Sequence, residues 1–172
     1  MHIGEGFVGS GAELAHVNTI VGRRDGPAGT AFATALATPS AGHAPFLVIL
    51  QPGLPVQPPT LFVNKAAIAD DVHGTLTWGA AQAGVAAGVA DAITDGTISR
   101  ADVDQVVVIA AVWVNPAARD ADLVAANNRD ATLAALRAGR EGRPDVDAVI
   151  AARDAAWNPY FGAPPPPTSG RR

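Results

Sequence analysis

One histidine of the chain is a candidate acid–base group because of its place in a predicted strand. His16 lies in "ELAHVNTIVG", which alternates as a strand does, so that Asn18 shares its face while Val17 points the other way. Imidazole titrates near neutral pH, so His16 is a candidate general acid for a leaving oxygen. Asn18 would then bind a substrate or fix the tautomer of the ring. The alternative is a half-buried histidine bonded to a backbone carbonyl, with Asn18 as ordinary strand-edge polarity.

The only lysine of the chain is a second candidate. Lys65 lies in the apolar run "TLFVNKAAIA", on the same strand face as Val63 and Ala67. A lysine in a cleft can bind an anionic or carbonyl-bearing ligand, and loss of water there would lower its pKa and free the amine. The alternative is a charge on an edge strand, which discourages pairing between molecules.

A glutamine within a stretch of small residues is the third candidate. Gln82 interrupts a helical stretch of small residues, "GAAQAGVAAGVADA". Its amide both donates and accepts, so it can read the edge of a heterocycle or satisfy a neighbouring backbone group. His16, Lys65 and Gln82 are thus isolated polar side chains on separate elements. This is typical of a cleft in which a few polar groups converge.

The remaining histidines do not form a metal site. His2, His43 and His73 have no metal-ligand spacing with one another or with His16, and the chain has no cysteine. We therefore expect no metal, no thiol nucleophile and no disulfide.

The elements that carry these residues follow from periodicity, turn residues and prolines. We predict strands over residues 2–9, 13–22, 46–50, 60–69 and 104–114, and helices over 28–37, 77–96, 119–139 and within 144–157. Pro27 takes the first position of the first helix, and Gly96 and Gly139 end the two long ones. The order of elements predicts an α+β sheet with its helices on one face.

Composition excludes several classes of protein. A chain of 172 residues with 48% hydrophobic and 16% charged residues is expected to fold as one domain. A net charge of −4 without a basic stripe argues against nucleic acid. No apolar run reaches the roughly 18 residues of a membrane span, and the start lacks a signal-peptide pattern. We expect a cytoplasmic protein, and sparse charge with abundant alanine favours a surface covered by other copies.

Five stretches together resemble the formaldehyde-activating enzyme family. In chain order they are "GEGFVGSGAELAHVNTIVG", "GPAGTAF", "LPVQPPTLFVNKAAI", "GAAQAGVAAGVADA" and "NNRDATLAAL". The resemblance covers roughly residues 3–157. We therefore expect one domain over residues 1–162, followed by a proline-rich, disordered tail over residues 163–172.

The resemblance implies a fold, an assembly and an activity. The fold would be similar to the second domain of ribosomal protein S5, with a mostly antiparallel sheet and helices packed on one face. Five identical subunits would form a ring with active sites between neighbours. The family is a hydro-lyase that joins formaldehyde to 5,6,7,8-tetrahydromethanopterin, forming the methylene derivative and water. It needs no metal and no permanently bound cofactor, since the pterin is a co-substrate.

The resemblance also assigns roles to positions of this sequence. The acid histidine falls on His16. The positions assigned to substrate binding are Asn18, Leu47, Lys65, Ala67 and Gln82.

Two of these positions depart from the family pattern. Similar family members usually carry Asp where Asn18 stands and Thr where Ala67 stands. Asn keeps the acceptor oxygen but loses the negative charge, and Ala67 lacks a hydroxyl that would bond the pterin. The departures leave open a non-catalytic or altered-specificity binder of a pterin-like or aldehyde-derived ligand. A scaffold ring without a ligand is a third possibility, against which the polar residues weigh.

Overall fold

Five strands form one mixed sheet in which antiparallel pairs predominate. The computed structural model describes residues 1–158. In chain order the strands are β1 (His2–Val8), β2 (Ala15–Arg23), β3 (Phe46–Leu47), β4 (Ile49–Gln51), β5 (Leu54–Pro55), β6 (Thr60–Asn64) and β7 (Val106–Trp113). The sheet order is β1-β2-β7-β6-β3, and β4 pairs with β5 as a separate hairpin. Among the sheet pairs of residues 1–158, β6 and β7 alone run parallel. The predicted α+β class and mostly antiparallel sheet are confirmed, whereas the likeness to ribosomal protein S5 stays a prediction.

The helices follow the capping signals of the sequence. They are α1 (Pro27–Ala37), α2 (Asp71–Thr75), a π-helical segment (Leu76–Ala81), α3 (Gln82–Thr94), α4 (Ala121–Glu141) and α5 (Val146–Ala152), with short 3-10 turns at Gly11–Glu13 and Arg153–Ala155. Pro27 begins α1 as predicted, and Gly96 follows α3 with a positive φ of 83°. Asp120 caps α4 because its carboxylate accepts from the backbone N–H of Leu123.

Helices α3 and α4 cover one face of the sheet, which we call the core face. Val17, Phe62 and Val108 are fully buried there. A Cβ atom at Gly4 would collide with the backbone carbonyl of Ala135 in α4, so only glycine permits this approach of helix and strand. Glycine is likewise required where α3 crosses α4, because an added Cβ atom would collide with the α4 backbone. The small residues of the sequence therefore allow three backbones to approach closely.

The opposite face, which we call the outer face, carries α1 at one end. Gly22 alternates with His16 and Asn18, and a Cβ atom there would overlap the Cβ of Ala28 in α1. The expectation that all helices pack on one face is therefore wrong for α1. The reason is local: the turn after β2 delivers Pro27 directly above the strand it has just left, and Gly22 makes room for the helix.

Two predicted strands end early. The strand expected over 46–50 divides at Val48, which is fully buried and bonds Thr60 on one side and Val56 on the other. The strand expected over 60–69 ends at Asn64. The side-chain amide of Asn64 donates to the carbonyls of Gly42 and Ala66, which turns the chain out of the sheet.

The two long helices have other limits than predicted. Helical structure begins at Asp71 rather than 77, because Asp70 accepts from the backbone N–H of His73 and caps the turn. Gly139 does not end α4; the helix runs to Glu141, and Gly142 with a φ of 67° ends it. Gly139 instead packs against the backbone of β1.

The described part of the chain, residues 1–158, has no helix long and apolar enough to span a bilayer. The predicted tail over residues 163–172 lies outside the described residues, and the domain limits 1–162 stay a prediction.

Candidate active site

Strand pairing gathers polar residues on the outer face, away from α1. The alternation predicted for β2 is confirmed, since Ala15, Val17 and Thr19 are buried while His16 and Asn18 are not. Register then sets their neighbours. Phe7 of β1 and Trp113 of β7 flank His16.

Lys65 reaches this group from the end of β6. Its backbone N–H donates to the carbonyl of Val112 at 2.7 Å, which keeps the residue in line with β7. Its Nζ donates to Oδ1 of Asn18 at 2.8 Å, so the side chain crosses the whole width of β7. Ala111, the β7 partner of Asn18, is small enough to lie beneath the crossing. Lys65 and Asn18 are therefore brought together although 47 positions separate them.

The environment of Lys65 changes its acidity. Burial lowers the pKa of the ammonium from 10.5 to about 8, while the nearby carboxylate of Glu5 acts in the opposite direction. The edge-strand interpretation of Lys65 is wrong, because β6 pairs with β7 on one side and β3 on the other. A lysine placed this way is suited to a ligand rather than to preventing strand pairing.

His16 is held by a carboxylate. Its Nε2 lies 2.6 Å from Oε1 of Glu5, and Phe7 meets the ring edge to face with centroids 5.4 Å apart. The alternative of a histidine bonded to a backbone carbonyl is therefore wrong. The His16 side chain is 30% exposed, so a ligand can reach it. A carboxylate on one ring nitrogen fixes the orientation of the ring and leaves the other nitrogen for chemistry.

A second group of predicted residues lies at the other edge of the sheet. Leu47 and Gln82 line an apolar cavity together with Phe46, Ile49 and Trp78. Oε1 of Gln82 accepts from the backbone N–H of Ile49 at 2.6 Å, so the glutamine does satisfy a backbone group. Its NH₂ group is what remains for a ligand. Trp78 is 54% exposed and offers a ring face to a planar molecule.

The two groups do not meet within one chain. Leu47 pairs with Leu61, four residues before Lys65 and roughly 13 Å along the strand. Ala67 is exposed just beyond Lys65, near Gly42. The structure thus brings Lys65 and Asn18 together and places His16 on the same face. Leu47 and Gln82 form a separate site.

His43 and His73 make structural hydrogen bonds to the backbone. His73 is buried, accepts from the backbone N–H of Ala69 and bonds the carbonyl of Val114. His43 bonds the carbonyl of Asn64. Within residues 1–158, no three His, Asp or Glu side chains are arranged to hold a metal ion.

Comparison with known proteins shows the family of the chain. A family model described as formaldehyde-activating enzyme matches residues 3–161. The chain belongs to the formaldehyde-activating enzyme family. A protein of Archaeoglobus fulgidus named bifunctional enzyme Fae/Hps is 42% identical over 160 residues, which are 93% of this chain and 41% of that protein. A protein of Methanosarcina barkeri named 5,6,7,8-tetrahydromethanopterin hydro-lyase is 38% identical over 158 residues, or 92% of this chain and 89% of that protein. The chain spans about two fifths of the length of the bifunctional relatives and most of the hydro-lyase.

Sequence reasoning missed two residues of this member of the formaldehyde-activating enzyme family. Glu5 bonds His16, and its charge acts to raise the pKa of Lys65. Trp78 lines the cavity with Leu47. Glu5 gave one signal, a charge between Ile3 and Phe7 on a single strand face. Its role depends on the register of β1 with β2, which the sequence does not display.

Proposed function

We propose that this chain condenses formaldehyde with tetrahydromethanopterin, or a related reduced pterin, to the methylene derivative and water. Family membership supports the proposal, as does the name of the Methanosarcina barkeri relative. The observation that carries it is the outer-face cluster. There a carboxylate-bound imidazole and a half-buried amine occupy one surface. In this role the chain is a carbon–oxygen lyase acting in one-carbon metabolism and formaldehyde detoxification.

His16 is the proposed general acid. A secondary amine of the pterin attacks formaldehyde and gives a hydroxymethyl adduct, whose hydroxyl leaves poorly unless it is protonated. Because Glu5 engages Nε2, we assign the proton delivery to Nδ1. Water then departs, an iminium forms, and the second pterin amine closes the ring. General acid catalysis of this kind typically contributes about 10²–10⁴-fold.

Lys65 and Asn18 are the proposed contacts to formaldehyde and to polar groups of the pterin. The amine lies where a carbonyl oxygen can accept from it, and Asn18 holds it there at 2.8 Å. Positioning both reactants is the larger contribution, since a well-oriented pair can gain up to about 7–11 kcal/mol over free collision. Ala67 offers only a methyl group, so the pterin contact there is apolar.

The second cavity is the proposed pterin-contact surface. Leu47 would pack against the heterocycle, Trp78 would stack on it, and the amide NH₂ of Gln82 would read its edge. This surface and the His16 cluster are apart within one chain, which supports an active site completed by a neighbouring copy. We propose a homo-oligomer, in the first instance a ring of five. Exposed Leu50 and Leu54 beside the cavity supply apolar surface for such contacts.

The alternative of a non-catalytic binder receives less support. Asn18 does not leave Lys65 without a partner, because its carbonyl oxygen accepts from the amine as a carboxylate oxygen would. The negative charge of the cluster is supplied by Glu5 instead. The absence of a bound cofactor and the cytoplasmic location stay predictions.

The deciding experiment is pterin-dependent consumption of formaldehyde by the purified chain. We expect the wild type to exceed the uncatalysed rate and His16→Ala to lose about 10²-fold or more of that acceleration. Asn18→Asp, which introduces the aspartate that similar family members usually carry at this position, is measured beside them. A wild type without acceleration, rescued by Asn18→Asp, would support the binder instead. Thermal stabilisation by the pterin alone would separate a binder from an unliganded scaffold.

A further inference from the structure

Lys65 carries the only ε-amine of the whole chain. Of twelve Lys and Arg residues, it is the single lysine. Among the residues that the structure describes, its amine bonds a neutral amide oxygen and makes no ion pair. The carboxylate within electrostatic reach, Glu5, is bonded to His16. A lysine amine without a carboxylate partner in a partly dry site is the usual setting for addition to a carbonyl.

We propose that the amine of Lys65 takes up formaldehyde covalently and passes the methylene carbon to the pterin. The inference rests on the proposed function, because it assigns a covalent step to the same reaction. It replaces direct attack of the pterin on free formaldehyde by two steps, so that the hydroxymethyl group that His16 protonates is carried first by Lys65 and not by the pterin.

The step balances without any further reactant. The Nζ lone pair forms a bond to the formaldehyde carbon, the carbonyl π electrons move to oxygen, and the oxygen takes up a proton. The resulting carbinolamine loses its hydroxyl as water, protonated by His16, and the Nζ lone pair forms a C=N⁺ bond. A pterin amine then attacks the methylene carbon. The bond from carbon to Nζ breaks, the lysine recovers its electron pair, and the second pterin amine closes the ring.

The geometry serves each stage. Asn18 accepts an N–H of the amine in either protonation state, so it orients the nitrogen without neutralising it. His16 lies two residues before Asn18 on the same strand face, with their Cα atoms roughly 7 Å apart. The imidazole and a hydroxymethyl group on Nζ therefore lie on the same side of the sheet. The lowered pKa of Lys65, about 8, leaves about one amine in ten unprotonated at pH 7, roughly 300-fold more than an ordinary lysine.

Reductive trapping tests the proposal, because cyanoborohydride converts an iminium to a stable methylamine. The full chain is treated at pH 7 with ¹³C-formaldehyde and cyanoborohydride, and peptides are read by mass spectrometry. The Arg100→Lys variant provides the comparison, since it adds one amine at an exposed position to the same molecule. We expect Lys65 to gain methyl groups at least tenfold faster than the amine introduced at position 100. An equal or slower rate at Lys65 would overturn the proposal.

Lys65→Arg provides the kinetic arm. Arginine keeps the positive charge and a donor for Asn18 but has no nucleophilic amine at neutral pH. We expect kcat to fall at least a hundredfold while KM for tetrahydromethanopterin stays within about threefold and the thermal midpoint is kept. A kcat within twofold of wild type would overturn the covalent step.

The two arms separate this inference from the proposed function. If the wild type accelerates condensation but Lys65 is not preferentially methylated, only the covalent step is refuted. If Lys65 is preferentially methylated but no acceleration occurs with the pterin, uptake of formaldehyde stands and the proposed lyase activity fails.

Discussion

Lys65 donates to Oδ1 of Asn18 at 2.8 Å across the full width of β7, so the ammonium is bonded to a neutral amide and not to a carboxylate. Burial lowers the pKa of this half-buried ammonium, and a charged partner would offset that effect. An amide oxygen stabilises the ammonium less than a carboxylate would. The amine is therefore easier to deprotonate, and the charge that opposes this comes from Glu5 on the neighbouring strand.

The first prediction concerns stability against pH. The unfolded chain keeps a proton on Lys65 up to its ordinary pKa of 10.5, whereas the folded chain releases it near 8. Between these values the unfolded state binds more protons, so the wild type gains stability as pH rises. Urea unfolding of wild type and Lys65→Met should show their difference in unfolding free energy changing from pH 8 toward 10.5 and constant below 8. A difference independent of pH across this window would mean that the folded state does not perturb Lys65.

The second prediction assigns Glu5 a positioning role. Glu5→Gln removes the charge that holds His16 and that opposes deprotonation of Lys65. We expect kcat to fall roughly 10–100-fold, within the range of a general-acid contribution, and the pKa of Lys65 to fall further. Because Glu5 is exposed, unfolding free energy should change by less than about 0.5 kcal/mol.

The readout for Glu5 is the pH profile of the reaction beside its rate. A purely structural residue would leave the profile in place, whereas loss of the charge should move the limb set by Lys65 to lower pH. Glu13, which bonds the backbone N–H of Arg119 rather than the cluster, provides the matched control as Glu13→Gln. Equal effects of the two substitutions would contradict the assignment.

The third prediction compares two glycines of the same helical stretch. A Cβ atom at Gly84 would collide with the carbonyl of Ala125 in α4, whereas one at Gly79 would meet nothing within 4 Å. Gly84→Ala should therefore destabilise by more than about 2 kcal/mol through overpacking. Gly79→Ala should be neutral or stabilising by up to about 1 kcal/mol. Urea unfolding measures both, and similar values for the pair would contradict the close packing of α3 on α4.

Local signals in the sequence predicted much of this fold, and tertiary contacts decided the rest. Alternation placed His16 and Asn18 on one face because strand periodicity is a property of the backbone alone. The early end of β6 depends on Asn64 bonding a loop 22 residues away, and the role of Glu5 depends on strand register. The meeting of Lys65 with Asn18 requires three strands to be in order. Such relationships arise only once the sheet has formed, so no local pattern displays them.

The last prediction tests whether neighbouring copies complete the active site. His16→Ala removes the proposed acid, and Leu47→Glu places a charge in the proposed pterin cavity at a position that is 39% exposed, so it should fold. Each variant alone should be nearly inactive. If one site takes His16 from one copy and Leu47 from the next, co-expressed variants assemble some sites with both native residues, and activity returns to a sizeable fraction of wild type. Leu123→Glu, which is 50% exposed on α4 and lies outside the cavity lining, is the control and should stay active alone. Mixed assemblies as inactive as their parents would place each complete site within one chain.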